Sequence, residues 1–199
     1  MSTARRPRLP LAVAGLLLTA VPLLAPANPA TACDAPDPAP SATRTPATVH
    51  HGRATVAYDP LTMPKGVVVG GPKVEIGTVI YNGTGAPFHS IRPALGLSAW
   101  APIGNGKAVS LAPRDATVEV YHQGRWKRLS LTSGCDPVLN TNTDFLAAHL
   151  PDNRATRFLF RLSITRAAPA QLTSLQLHFT AWSERGYEAL VSRTIPITR

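Results

Sequence analysis

Between Lys73 and Leu97 the chain reads KVEIGTVIYNGTGAPFHSIRPALGL, and its apolar residues return at every second position. Val74, Ile76, Thr78 and Ile80 fall on one face, with Glu75, Gly77, Val79 and Tyr81 on the other. Ile91, Pro93, Leu95 and Leu97 repeat the period after Asn82-Gly83-Thr84-Gly85. A period of two makes one apolar face on a strand, whereas a helix needs a period of 3.6. The glycine-bearing break predicts a turn, so Lys73–Asn82 and Phe88–Leu97 are expected to pair as neighbouring antiparallel strands. Ile76, Ile80, Ile91 and Leu95 should face inward and meet Phe158, Phe160, Leu177 and Phe179 in one core.

The same signal recurs down the chain. Val118 and Val120 alternate with Glu119 and Tyr121, Gln123-Gly124 supplies a turn, and Trp126 to Leu131 returns as the partner, which predicts a second hairpin. Three further strands are expected. They are carried by Phe158, Phe160, Leu162 and Ile164, by Leu175, Leu177, Phe179 and Ala181, and by Ala189, Val191, Ile195 and Ile197. Val67-Val68-Val69 reads as a short strand stopped by Gly70-Gly71-Pro72. Trp100 to Arg114, with Pro102, Gly104, Gly106 and Pro113, reads as irregular. Within the long connection Thr132 to Asn153, Asn142 or Thr143 is expected to cap a short helix over Asp144 to Leu150, stopped by Pro151. Closely spaced strands with almost no helix predict an all-β, antiparallel sandwich over residues 65–199.

GGPKVEIGTVIYNGTGAPFHSIRPAL resembles the front half of immunoglobulin-like domains in secreted actinobacterial proteins, and is distantly similar to the NEW3 and CARDB groups of bacterial modules. QGRWKRLSLTSGCDPVL with DFLAAHLPDNRATRFLFRL looks like the second half of that type. The resemblance implies the sandwich fold. It brings no shared catalytic residues.

The front of the chain has the three parts of an export signal. Arg5, Arg6 and Arg8 are its basic region, Leu9 to Ala25 its apolar core, and Ala30-Thr31-Ala32 its exit site, with Ala25-Pro26-Ala27 an earlier one. Residues 1–32 are therefore expected to be a signal peptide, leaving no spanning segment and a secreted, extracellular product. The rival is an uncleaved anchor, since Leu9 to Ala25 is just long enough to span; Pro22 and the small-residue exit oppose it. Residues 33–64 are rich in Ala, Pro, Thr and Ser, and such a segment buries too little apolar surface to offset its ordering entropy. They are expected to form a flexible linker, with Ala54 to Tyr58 offering a first edge strand. Cys33 and Cys135 are the two cysteines, and in an oxidising compartment a disulfide between them is expected. Ala30-Thr31-Ala32-Cys33 also loosely fits a lipobox, which would make the protein a surface lipoprotein anchored through Cys33.

Chemistry is sparse. There is no G-x-S-x-G elbow, H-E-x-x-H pair, phosphate-binding loop or dinucleotide fingerprint, and no carboxylate pair spaced for acid–base work. His50 and His51 lie in the linker, while His89, His122, His149 and His178 stand singly in separate elements. A Cys135–His149 thiol–imidazole pair and an exported enzyme or metal carrier are the minor alternatives. No catalytic residue, cofactor or metal site is expected, and nothing suggests specific nucleic-acid recognition. The chain has 20 Lys and Arg against 11 Asp and Glu; cleavage after Ala32 leaves 17 basic against 11 acidic groups, a formal +6. That excess suits anionic surfaces as well as solubility. Arg157 and Arg161 share the outer face of one strand, where a solvated face accounts for them. Tyr81, Tyr121, Trp126 and Trp182 fall opposite the main apolar sets, where aromatic platforms beside Arg or Lys suit sugar rings. They would serve a non-enzymatic interaction module, its partner an anionic cell-wall polymer or another surface protein. The rival role for these aromatics is to cover a neighbouring loop.

Overall fold

A computed structural model describes residues 54–133 and 137–199. The signal, linker and Cys33–Cys135 expectations, and the Cys135–His149 pair, lie outside the described residues, apart from the linker's last stretch. Chain order gives β1 (Thr55–Tyr58), β2 (Val67–Val68), β3 (Val74–Asn82), β4 (Phe88–Ser98), β5 (Trp100–Gly104), β6 (Lys107–Ser110) and β7 (Ala116–His122). There follow β8 (Arg125–Leu129), β9 (Leu131–Ser133), β10 (Val138–Thr141), β11 (Ala148–Leu150), β12 (Arg154–Ile164), β13 (Ser174–Ser183) and β14 (Gly186–Thr198). Two sheets pack as a β-sandwich. One has five strands in the order β1-β3-β12-β7-β8; the other has seven, β2-β14-β13-β4-β10-β9 with β11 on the free edge of β4. All pairings in the two sheets are antiparallel except β2 with the end of β14. No helix among the described residues is long and apolar enough to cross a membrane.

The period-two faces are as expected. Ile76, Ile80, Ile91, Leu95, Phe160, Leu177 and Phe179 are fully buried in one core, with Phe158 packed partly buried against it. Phe160 of β12 and Phe179 of β13 meet across the two sheets, ring centroids 6.3 Å apart and planes at 64°. The second hairpin also forms. Gln123 and Gly124 both take positive φ, 50° and 78°, and join β7 to β8 with Tyr121 opposite Trp126. That is the two-residue turn whose twist matches paired strands.

The first hairpin does not form. β3 pairs with β1 and β12, whereas β4 pairs with β13, β10 and β11 in the other sheet. Gly83 to Pro87 is therefore an arch between sheets rather than a turn within one. Asn82 holds it. Its buried amide nitrogen donates to the carbonyls of Ala86 (2.9 Å) and Leu150 (3.1 Å), and its Oδ1 accepts from the Thr84 amide (3.1 Å) and hydroxyl (2.8 Å). Asn82-Gly83-Thr84 also has the form of an N-glycosylation sequon, but its asparagine is inside the protein with its nitrogen occupied.

The first edge strand offered by Ala54 to Tyr58 forms as β1, and the residues after it lay a turn over Gly77, whose amide donates to Thr62 Oγ1 at 2.8 Å. A Cβ on Gly77 would collide with Thr62 and Asp59, so only glycine admits this turn. Trp100 to Ser110 is not irregular but a separate two-stranded hairpin, β5 with β6. Instead of a helix, Asp144–Leu146 makes one 3-10 turn and β11 follows. The cause is tertiary: β4 is lined by β10 at one end and β11 at the other, and the gap between them must be satisfied. Thr141 Oγ1 accepts from the Leu95 amide (3.0 Å), and the Thr143 hydroxyl donates to the Pro93 carbonyl. Buried main-chain groups seldom go unpaired, and here two threonines complete the strand.

Candidate functional site

The outer face of the five-stranded sheet carries the densest grouping of aromatic and charged side chains. Strand register sets it: Arg161 lies opposite Glu75 on β3 and Glu119 on β7, while Glu119 lies opposite Arg128 and Tyr121 opposite Trp126. Glu119 sits between two cations. Lys73 Nζ approaches it at 2.6 Å, and Arg161 donates to its other oxygen. Partial burial would raise the Glu119 pKa, but the hydrogen bonds and charges of Lys73 and Arg161 outweigh it and hold the carboxyl below its ordinary range. The Arg161 guanidinium also lies over the Trp126 ring, 4.3 Å from its centroid, and Trp126 meets Tyr121 edge to face at 5.4 Å.

This arrangement divides the aromatic roles. Trp126 is half-buried and one of its faces is covered by Arg161, so it organises the surface rather than offering a free platform. Tyr121 is 48% exposed and borders a groove of about 330 Å³ lined by Thr62, Glu75, Gly77, Arg157, Phe158 and Leu159. Arg157 is steered there by Asp59, with which it forms an ion pair. The expectation of a merely solvated face for Arg157 and Arg161 therefore needs revision for Arg161, which is partly buried, stacked and paired.

The other two sequence-predicted aromatics lie elsewhere. Tyr81 is on the same sheet face, 39% exposed, but its hydroxyl donates to Asn153 (3.0 Å) near the arch. Trp182 is on the seven-stranded sheet, 38% exposed, edge to face with Tyr187 at 5.4 Å. The four do not form one surface. Tyr187 was missed because the strand period is interrupted by an irregular register between Ala181 and Trp182.

Two histidine contacts were also invisible in the linear sequence. His89 and His149 are brought within 6.3 Å by the pairing of β4 with β11, yet no three of His, Cys, Asp and Glu converge on a metal-sized space among the described residues. His178 stands between two serines, its Nε2 3.1 Å from Ser98 Oγ and its Nδ1 2.9 Å from Ser192 Oγ. A serine beside an imidazole is the start of a nucleophilic site. Ser98, however, lies on a strand paired on both sides, by Val138 and Gln176, so its surrounding amides belong to the sheet and no oxyanion cradle adjoins it among the described residues. The cluster ties β4, β13 and β14 together.

Burial lowers the His178 pKa. The folded state thus resists a proton that the unfolded chain accepts near pH 6.5, and stability should fall as pH drops from above that value through the lowered one. Glu119, with its depressed pKa, adds a second loss at lower pH, as pH falls through its folded value. Urea unfolding across pH should show both stages, and His178→Gln should abolish the upper one alone. A variant with an unchanged upper stage would assign that loss to another group.

No family model and no curated protein matches the sequence. Similarity to solved structures is found at very low identity. AvmM, which catalyses macrocyclization in alchivemycin A biosynthesis, superposes over 74% of this chain and 89% of its own, with 7% identity and a TM-score of 0.54. Spo0M, a sporulation control protein from Bacillus subtilis, matches 75% of this chain and 51% of its own length, so this chain spans about half of it, at 8% identity and a TM-score of 0.42. A cohesin module from a family 33 glycoside hydrolase of Clostridium perfringens matches 73% of this chain and 97% of its own, at 11% identity and a TM-score of 0.39. Of the three, the likeness to AvmM bears on the fold, and at 7% identity it bears on the fold alone.

Proposed function

We propose that this protein is an exported, non-enzymatic binding module, and that the outer face of its five-stranded sheet takes an anionic, sugar-containing polymer of the cell surface. The observation that carries this reading is the juxtaposition of exposed Tyr121 with Trp126, Arg161 and the Arg157-lined groove. A sugar ring stacks on an aromatic face through its C–H groups, while guanidinium groups hold phosphate or carboxylate oxygens by charge-assisted hydrogen bonds. Glu119 does not spoil the surface for an anion, because Lys73 and Arg161 together neutralise it.

Affinity electrophoresis of the full chain against a phosphate-bearing wall polymer tests the proposal, with a neutral polysaccharide as control. Retention by the charged polymer should fall roughly tenfold, or ~1.4 kcal/mol, in Tyr121→Ala. Trp182→Ala, on the opposite sheet, should leave it unchanged. Equal retention of Tyr121→Ala and the native protein, or no retention by any wall polymer, overturns the assignment.

A further inference from the structure

A second concavity lies away from that face, where the two sheets meet at their edges. β1 closes the five-stranded sheet, and among the described residues β14 is covered beyond β13 only by β2, at Ile197 and Thr198. Between Val56–Tyr58 and Val191–Arg193 the sandwich stays open as a pocket of about 460 Å³, walled on a third side by Pro60, Met63, Pro64 and Lys65. That volume is within the range of small-molecule sites.

The pocket is an extension of the core to the surface. Val56 and Tyr58 stand opposite Ile80 and Thr78, and Val191 opposite Phe179, all three partners fully buried. The Tyr58 ring packs against Phe179 at 6.3 Å between centroids. Its hydroxyl is shut off from solvent and has no hydrogen-bond partner among the described residues. Burial pushes the Tyr58 pKa well above the usual tyrosine range; the nearby Phe179 main chain offsets part of this without reaching hydrogen-bond geometry. Tyr58 lines the pocket while its unmet hydroxyl lies buried behind the wall.

Its charge has one sign. Lys65 and Arg193 line it and, among the described residues, no carboxylate does. Asp59, next to the lining residue Tyr58, is held elsewhere, by Arg157 and by the Leu61 amide at 3.0 Å. Arg193 stands opposite fully buried Leu177, on the core-facing register of β14. An inward charge on an edge strand also discourages pairing with other chains. That role requires no apolar pocket beneath the charge, and here there is one.

We propose that the seam between β1 and β14 binds a small apolar carboxylate, with its hydrocarbon body against Val56, Met63 and Val191 and its head group at Lys65 and Arg193. Fatty acids and other apolar acids with a free carboxylate share this chemistry. Decanoate, methyl decanoate and decylammonium are suitable probes, used on the full chain below the concentrations at which they form micelles. Met63 is one of two methionines, Met1 being the other, so methyl-labelled methionine provides a reporter inside the pocket. Decanoate should shift the Met63 methyl resonance saturably. The other two probes should bind at least about tenfold more weakly, because they lack the anion.

The double variant Lys65→Glu/Arg193→Glu, confined to the rim, should also weaken decanoate about tenfold or more, while Val191→Trp should fill the pocket and abolish binding. If Val191→Trp fails to fold, the rim variant alone decides. Tyr121→Ala should leave decanoate binding intact, which separates this site from the polymer surface. Absence of a saturable shift, equal binding of decylammonium, or decanoate binding untouched by the rim variant would each overturn the proposal.

Discussion

Phe160→Ala should lower the free energy of unfolding by about 3–5 kcal/mol, read from urea denaturation. Phe160 is fully buried at the middle of β12, opposite Ile76 on one side and Val120 on the other, and its ring meets Phe179 from the facing sheet. Truncation removes contacts to both layers at once, and the strands on either side cannot close the gap without losing their ladder. The adjacent position gives the internal comparison. A solvated arginine at 161 would cost less than about 1 kcal/mol on removal. Stacked on Trp126 and paired with partly buried Glu119, Arg161→Ala should cost more, about 1–2 kcal/mol, yet still clearly less than Phe160→Ala. Equal and small losses at both positions would mean that the inward and outward registers of β12 are not as described.

Asn82→Asp should be nearly as damaging, about 3 kcal/mol at neutral pH, although the side chain hardly changes in shape. Asn82 is fully buried and uses both ends of its amide. The carbonyl end accepts from Thr84, and a carboxylate would keep that role. The nitrogen end donates to the Ala86 and Leu150 carbonyls, and a carboxylate oxygen would confront both without a proton. Either a charge is buried against two acceptors or the group takes up a proton, and both routes draw on folding free energy. Stability of Asn82→Asp should therefore recover relative to the native protein as pH falls through the raised pKa of the new carboxyl. A loss below about 1 kcal/mol, with no such recovery, would show that the arch is held by other contacts.

Short-range chemistry was legible without coordinates. The Gln123-Gly124 hairpin follows from two residues that accept positive φ between runs of the right length, and no distant contact is needed to specify it. The inward assignment of Ile76, Ile80, Ile91 and Leu95 follows from the two-residue pleat alone. The aromatic surface was only half legible. Pleat alternation places Tyr81, Tyr121, Trp126 and Trp182 on outer faces, but not on which sheet, so the pairing of Tyr121 with Trp126 and the separation of Trp182 became visible only in the assembled sandwich. The basic pocket at the β1/β14 seam has no linear signature, because Val56, Lys65 and Arg193 come from opposite ends of the described chain.

By itself, then, the sequence determined the strand class, the core-facing residues and the Gln123-Gly124 hairpin, since each depends on backbone pleat and local dihedral preference. The tertiary structure decided partnership. β3 and β4 carry the same period and are five residues apart, yet they join different sheets, β3 against β12 and β4 against β13. Alternation says which face of a strand is apolar but nothing about which edge it will hydrogen-bond. That choice rests on Asn82, whose buried amide lets the chain cross from sheet to sheet. It rests equally on the free edge of β4, which recruits Thr141, Thr143 and β11 from a segment whose local pattern had suggested a helix. Such demands arise only once the sheets exist, because an unpaired main-chain group is costly only after it has been taken out of water.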